Sequence, residues 1–75
     1  MLFGKTENII LKVGGMHCMH CAAKVENTLK ALKGVKKAKV DLEKGTVCVD
    51  FAESKINAEA MIMAVNAAGF TAERN

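Results

Sequence analysis

Twice in this chain a helical stripe of apolar residues runs into a glycine that is followed by another apolar residue, at Lys33-Gly34-Val35 and at Ala68-Gly69-Phe70. Glycine directly after a helix takes the left-handed conformation that other residues resist, so each closure marks a helix end and an extended return. Two such closures in 75 residues leave room for two strand–helix–strand units and little else. A chain of this length supports one small core, and residues 1–75 are expected to form a single domain.

The rest of the pattern fills those two units. Asn8 to Val13 alternates, with Ile9, Leu11 and Val13 on one face, and predicts a first strand that Gly14-Gly15 ends. From Met19 to Lys33, Cys21, Val25, Leu29 and Leu32 draw one stripe on a helix. Val35 to Leu42 predicts a second strand with Ala38, Val40 and Leu42 on one face. Thr46 to Phe51 predicts a third, with Val47, Val49 and Phe51 inward and Cys48 outward; Glu43-Lys44-Gly45 turns between them. Ser54 and Asn57 are both candidate caps for a second helix bearing Ala58, Met61, Ile62, Val65 and Ala68, and Phe70 to Glu73 predicts a short last strand.

Parallel strands joined by a helix cross over right-handedly, and two interleaved crossover units place both helices on the same side of one sheet. The expected fold class is α+β: a ferredoxin-like βαββαβ sandwich, a four-stranded antiparallel sheet with two helices on one face.

Chemistry concentrates at one junction. Gly14-Gly15-Met16-His17-Cys18-Met19-His20-Cys21 sits where the first strand ends and the first helix begins. Two thiols with this spacing can turn toward a common point when the second lies in the first helical turn, and the amides there favour thiolate. Thiolate is a soft donor that selects Cu(I), with Zn(II) and heavier soft ions as competitors. Cu(I) accepts two thiolates, whereas structural zinc wants four ligands that the chain does not obviously assemble. His17 and His20 are candidate third ligands, although adjacent residues at a helix start diverge and solvent-facing positions are expected for both. Met16 is expected to pack inward and support the loop, and Met19 to be exposed. Cys48, in mid-hairpin, is expected to be a bystander.

Other functions fit less well. The net charge of +3 is mild, the lysines are dispersed, and only three aromatic residues are present, so no nucleic-acid partner is expected. Lys24, Lys30, Lys33, Lys36, Lys37 and Lys39 do concentrate positive charge on the first helix and the next strand, as a solvated surface or as a docking face for an acidic partner. The first residues lack a basic segment followed by an apolar stretch, and Ile9-Ile10-Leu11 is far too short to span a bilayer; no membrane insertion and a cytoplasmic location are expected. Three cysteines, an odd number, argue for metal or redox use of the close pair. A thiol–disulfide oxidoreductase is the enzymatic alternative, but such folds are longer and set a proline beside the dithiol, and this chain has no proline.

Gly15, Met16, Cys18 and Cys21 match the signature Gly-Met-x-Cys-x-x-Cys, and with it the chain resembles the heavy-metal-associated domain from about Ile9 to Phe70. It is similar in particular to free-standing bacterial copper chaperones of the CopZ type. The resemblance implies a non-enzymatic cytosolic Cu(I) carrier that uses Cys18 and Cys21, with Met16, His17, His20 and Phe70 as loop support or accessory groups. It implies a copper-transporting P-type ATPase or a copper-responsive repressor as partner, and a monomer when apo that metal can bridge into a dimer. Where relatives carry Tyr or Lys after the second helix this chain has Phe70, which can shield the metal but cannot donate a hydrogen bond or charge. The alternatives are a metal-binding domain of a P-type copper or zinc ATPase, or a carrier of Hg(II) or Zn(II). The opening Met1 and short polar tail favour a whole protein.

Overall fold

Alternation in the first apolar run becomes β1 (Thr6–Gly14), which buries Leu11 and Val13 and leaves Ile10 on the opposite face 44% exposed. The computed structural model describes residues 6–74, so the reading of the first residues as leaderless and the outer limits of the domain lie partly outside the described residues. After β1 come α1 (Met19–Lys30), β2 (Val35–Asp41), β3 (Thr46–Ala52), α2 (Ala58–Ala67) and β4 (Thr71–Arg74). The strands form one antiparallel sheet in the order β2-β3-β1-β4. Leu11, Val13, Val47, Val49 and Phe51 from the sheet share one buried cluster with Val25 and Leu29 of α1 and Met61 and Val65 of α2, so both helices cover the same face. This is the expected ferredoxin-like sandwich.

Element ends differ from the sequence reading, each for a local reason. α1 stops at Lys30 instead of Lys33, because Leu32 donates to Leu29 O and Val35 to Leu32 O, three-residue spacings that tighten the chain out of α geometry. Gly34 then reverses direction at φ +98°, where an added Cβ would lie 2.9 Å from Lys55 Cβ. β2 ends at Asp41, not Leu42, since the Asp41 carboxylate accepts the Lys44 amide at 3.2 Å and draws Leu42 into the turn. Asn57 caps α2 by accepting the Ala60 amide at 2.9 Å, whereas Ser54 lies in the preceding turn. β1 and β3 run slightly longer than expected, and β4 begins at Thr71, after Phe70.

One irregularity escapes periodicity altogether. Val35 pairs with Phe51 and Lys37 with Asp50, so β2 carries an extra residue in a bulge. That shift allows Val35 and Ala38, three residues apart, both to pack against the core.

Candidate metal centre

The central strand β1 delivers its chain directly into the loop. Gly15 turns at φ +96°, a conformation that a side chain would strain. Met16 is half-buried and packs against the core, which anchors the loop, while His17 faces solvent. Cys18 then occupies the N-cap of α1 in extended conformation (φ −156°, ψ 175°), and Cys21 lies in the first turn. Their sulfurs stand 3.9 Å apart, both as free thiols, Cys18 exposed and Cys21 half-buried.

That separation is about twice a covalent S–S bond and matches two ligands of one ion. With metal–sulfur bonds of about 2.3 Å the present spacing subtends an angle of about 115°, and a fully opposed pair would need about 4.6 Å. Rotation of the exposed Cys18 side chain can supply the difference. Among the described residues no third His, Cys, Asp or Glu joins the pair.

The Cys21 amide first, then the His20 amide, then the Cys21 thiol hold the Cys18 thiol below its ordinary value, against a small opposing effect of desolvation. The sulfur stands where a capping oxygen would stand, yet no side-chain capping hydrogen bond is formed. The stabilisation is therefore that of a thiolate facing amide dipoles at a helix N-terminus. Because the group is acidic, the lowered value means that thiolate persists to lower pH than in a free cysteine. Alkylation of Cys18, followed by peptide mass, is expected to show its rate inflection below the ~8.5 of a free thiol. An inflection at or above that value would remove the helix from the account.

His17 and His20 are both exposed, and Met19, between the cysteines, is 78% exposed. Phe70 approaches from the far end of the chain: its Cδ1 would lie 3.5 Å from a Cβ on Gly15, and its half-buried ring packs against the core. Cys48 lies on the open sheet face, opposite Ile10 and Lys39, where Asn8 Nδ2 donates to its sulfur at 2.9 Å and to Asp50 Oδ1 at 2.6 Å. The lysines do not form a single face. Lys37 and Lys39 lie opposite Asp50 and Cys48 on the sheet side away from the helices, and Lys30 pairs with Glu26 at 3.3 Å. Sequence reading passed over Asn66, whose Oδ1 accepts the Ala72 amide at 3.0 Å. Its only local signal was a polar residue near the end of an apolar helix.

The family model for the heavy-metal-associated domain matches residues 10–71. A copper chaperone CopZ from Staphylococcus haemolyticus is 41% identical over 63 residues, which cover 84% of this chain and 93% of that protein. The solved structure of a CopZ metallochaperone superposes with a TM-score of 0.86 at 37% identity, covering 89% of this chain and 100% of the other. A copper-binding domain of a P-type ATPase superposes with a TM-score of 0.89 at 34% identity, over 91% of this chain and 92% of that one.

Proposed function

The chain belongs to the heavy-metal-associated domain family, and from that premise we propose that it is a copper chaperone holding one Cu(I) between Cys18 and Cys21 and passing it on by thiolate exchange. The observation that carries the reading is a pair of sulfurs 3.9 Å apart at a helix N-terminus, with no further protein ligand beside them among the described residues. Two soft donors suit Cu(I), while Zn(II) would lack half of its usual four. The copper bis-thiolate carries one net negative charge, which the N-terminus of α1 favours.

Transfer needs no redox step. A partner thiolate forms a bond to Cu(I) as the bond to one loop sulfur breaks, and the second sulfur follows; copper remains Cu(I) throughout. Exposure makes Cys18 the sulfur that an incoming thiolate reaches. Loading displaces the thiol protons, so affinity rises with pH until both thiols are ionised. The protein is a carrier and not a catalyst. Its acceptor carries a similar dithiol: a copper-transporting P-type ATPase, or a copper-responsive repressor. The exchange belongs in the cytoplasm, where thiols stay reduced; among the described residues no helix is long and apolar enough to cross a membrane. The similarity to an ATPase domain favours a second reading, in which the same geometry serves as the metal-binding domain of a transporter.

Anaerobic competition between Cu(I) and Zn(II), with stoichiometry read by native mass spectrometry, tests the proposal. One Cu(I) per chain is expected to persist in excess Zn(II). Displacement by Zn(II), or tighter retention of Hg(II) with no stable copper form, would transfer the assignment to a zinc or mercury carrier. A species of two chains per ion would assign a metal-bridged dimer.

A further inference from the structure

The last nine described residues form a strap beside the metal loop. At the C-terminus of α2, Gly69 donates to Asn66 O at 3.0 Å and Phe70 to Val65 O at 3.3 Å, which turns the chain sharply at φ +103°. β4 follows as a four-residue edge strand, pairing Ala72 with Val13 and Thr71 with Gly14, the last positions of β1 before the loop. An edge strand this short is weakly held, and edges carry amides without sheet partners. Asn66 Oδ1 takes the Ala72 amide from the helix side at 3.0 Å. Between those two anchor points lies Phe70, whose Cδ1 lies 3.5 Å from where a Cβ on Gly15 would stand.

We propose that Asn66 is a positioning residue for the metal loop: by tying β4 to the end of α2 it holds the Phe70 ring over Gly15 and so keeps the Cys18–Cys21 loop in its ion-holding conformation. The consequence for copper rests on the carrier reading above; the mechanical link does not. Without the side-chain acceptor, the turn at Gly69 keeps its backbone bonds but β4 loses its tie to α2, and the Phe70 ring is held less firmly. The loop then opens more often, and the ion is lost faster at little cost to the central sheet.

Two measurements separate the link from the metal assignment. In the metal-free protein, Asn66→Ala is expected to raise hydrogen exchange of the Ala22 amide, which is bonded to Cys18 O at 3.1 Å and so reports the hold of the loop on α1, about two- to tenfold, the range corresponding to one hydrogen bond, with Val47 and Val49 in β3 unchanged. In the Cu(I)-loaded protein, removal of copper by a chelator should accelerate by a similar factor. Asn66→Asp, which keeps an acceptor oxygen, should restore both rates. Phe70→Ala should accelerate both, and Asn66→Ala should add nothing on that background, because a residue acting through another is non-additive with it. Exchange at the Ala22 amide indifferent to Asn66→Ala, or effects of the two substitutions that simply multiply, would overturn the proposal. A wild-type protein that fails to hold Cu(I) while its Ala22 amide still responds to Asn66→Ala would instead overturn the carrier reading and leave the strap standing.

Discussion

Cys18→Ser and Cys21→Ser are each expected to weaken Cu(I) binding by far more than the 10- to 100-fold that follows loss of a hydrogen-bonding partner behind a metal ligand. Serine offers a hard, protonated oxygen in place of a soft thiolate, and with no third donor among the described residues a single sulfur remains. The expected outcome for Cys48→Ser is affinity within about twofold of the parent, well below the cost of losing a ligand. Cys48 pairs with Ile10 on the open sheet face, five residues of extended strand before Gly15, a run of about 16 Å. Its sulfur is already engaged by Asn8. Competition titration against a Cu(I) chelator under nitrogen decides the matter for all three variants. A Cys48→Ser variant as weak as either loop variant would mean that copper sits elsewhere, and a loop variant of near-parental affinity would mean that the pair is not the site.

Leu11→Ala carries the largest expected cost to the fold. Leu11 is fully buried in β1, one of the two strands with neighbours on both sides, and truncating such a side chain costs about 2–5 kcal/mol. A domain of this size has a total stability of roughly 4–11 kcal/mol, so the variant sits near the edge of folding. Ile10→Ala, one residue away on the open face, should cost less than about 1 kcal/mol since its side chain is already 44% exposed. Urea melts of the metal-free proteins measure both. Equal costs at the two positions would contradict the register of β1. Copper, by binding only the folded loop, should shift the Leu11→Ala midpoint back upward by mass action, linking core and site in one experiment.

Much of this architecture is written in short-range pattern. The alternation of Leu11 with Val13 and of Val47 with Val49, the α1 stripe of Val25 and Leu29, and the closures at Gly34 and Gly69 each depend on residues within four positions of one another. Local backbone sterics and one-sided burial determine them, so the order of elements, the sandwich and the place of the cysteine pair at a strand–helix junction were all legible. The acidity of Cys18 was legible for the same reason, because the amides responsible belong to the next three residues.

What only the tertiary structure decided are relations between residues far apart in the chain. The bulge that turns both Val35 and Ala38 inward follows from pairing with β3, and the early end of β2 from a single Asp41 side chain choosing the Lys44 amide. The lysines of α1 and β2 look like one basic face when read in order; the sheet between them sends Lys37 and Lys39 to the other side. The approach of Phe70 to Gly15 and the hold of Asn66 on Ala72 exist because β4 returns to the end of β1, nearly sixty residues after leaving it. Periodicity records which side of an element is buried, and it carries no information about which distant backbone will arrive there. The amino-acid sequence by itself therefore determined the elements and the place of the two cysteines, and only tertiary pairing brought the chain's last strand back beside its first loop.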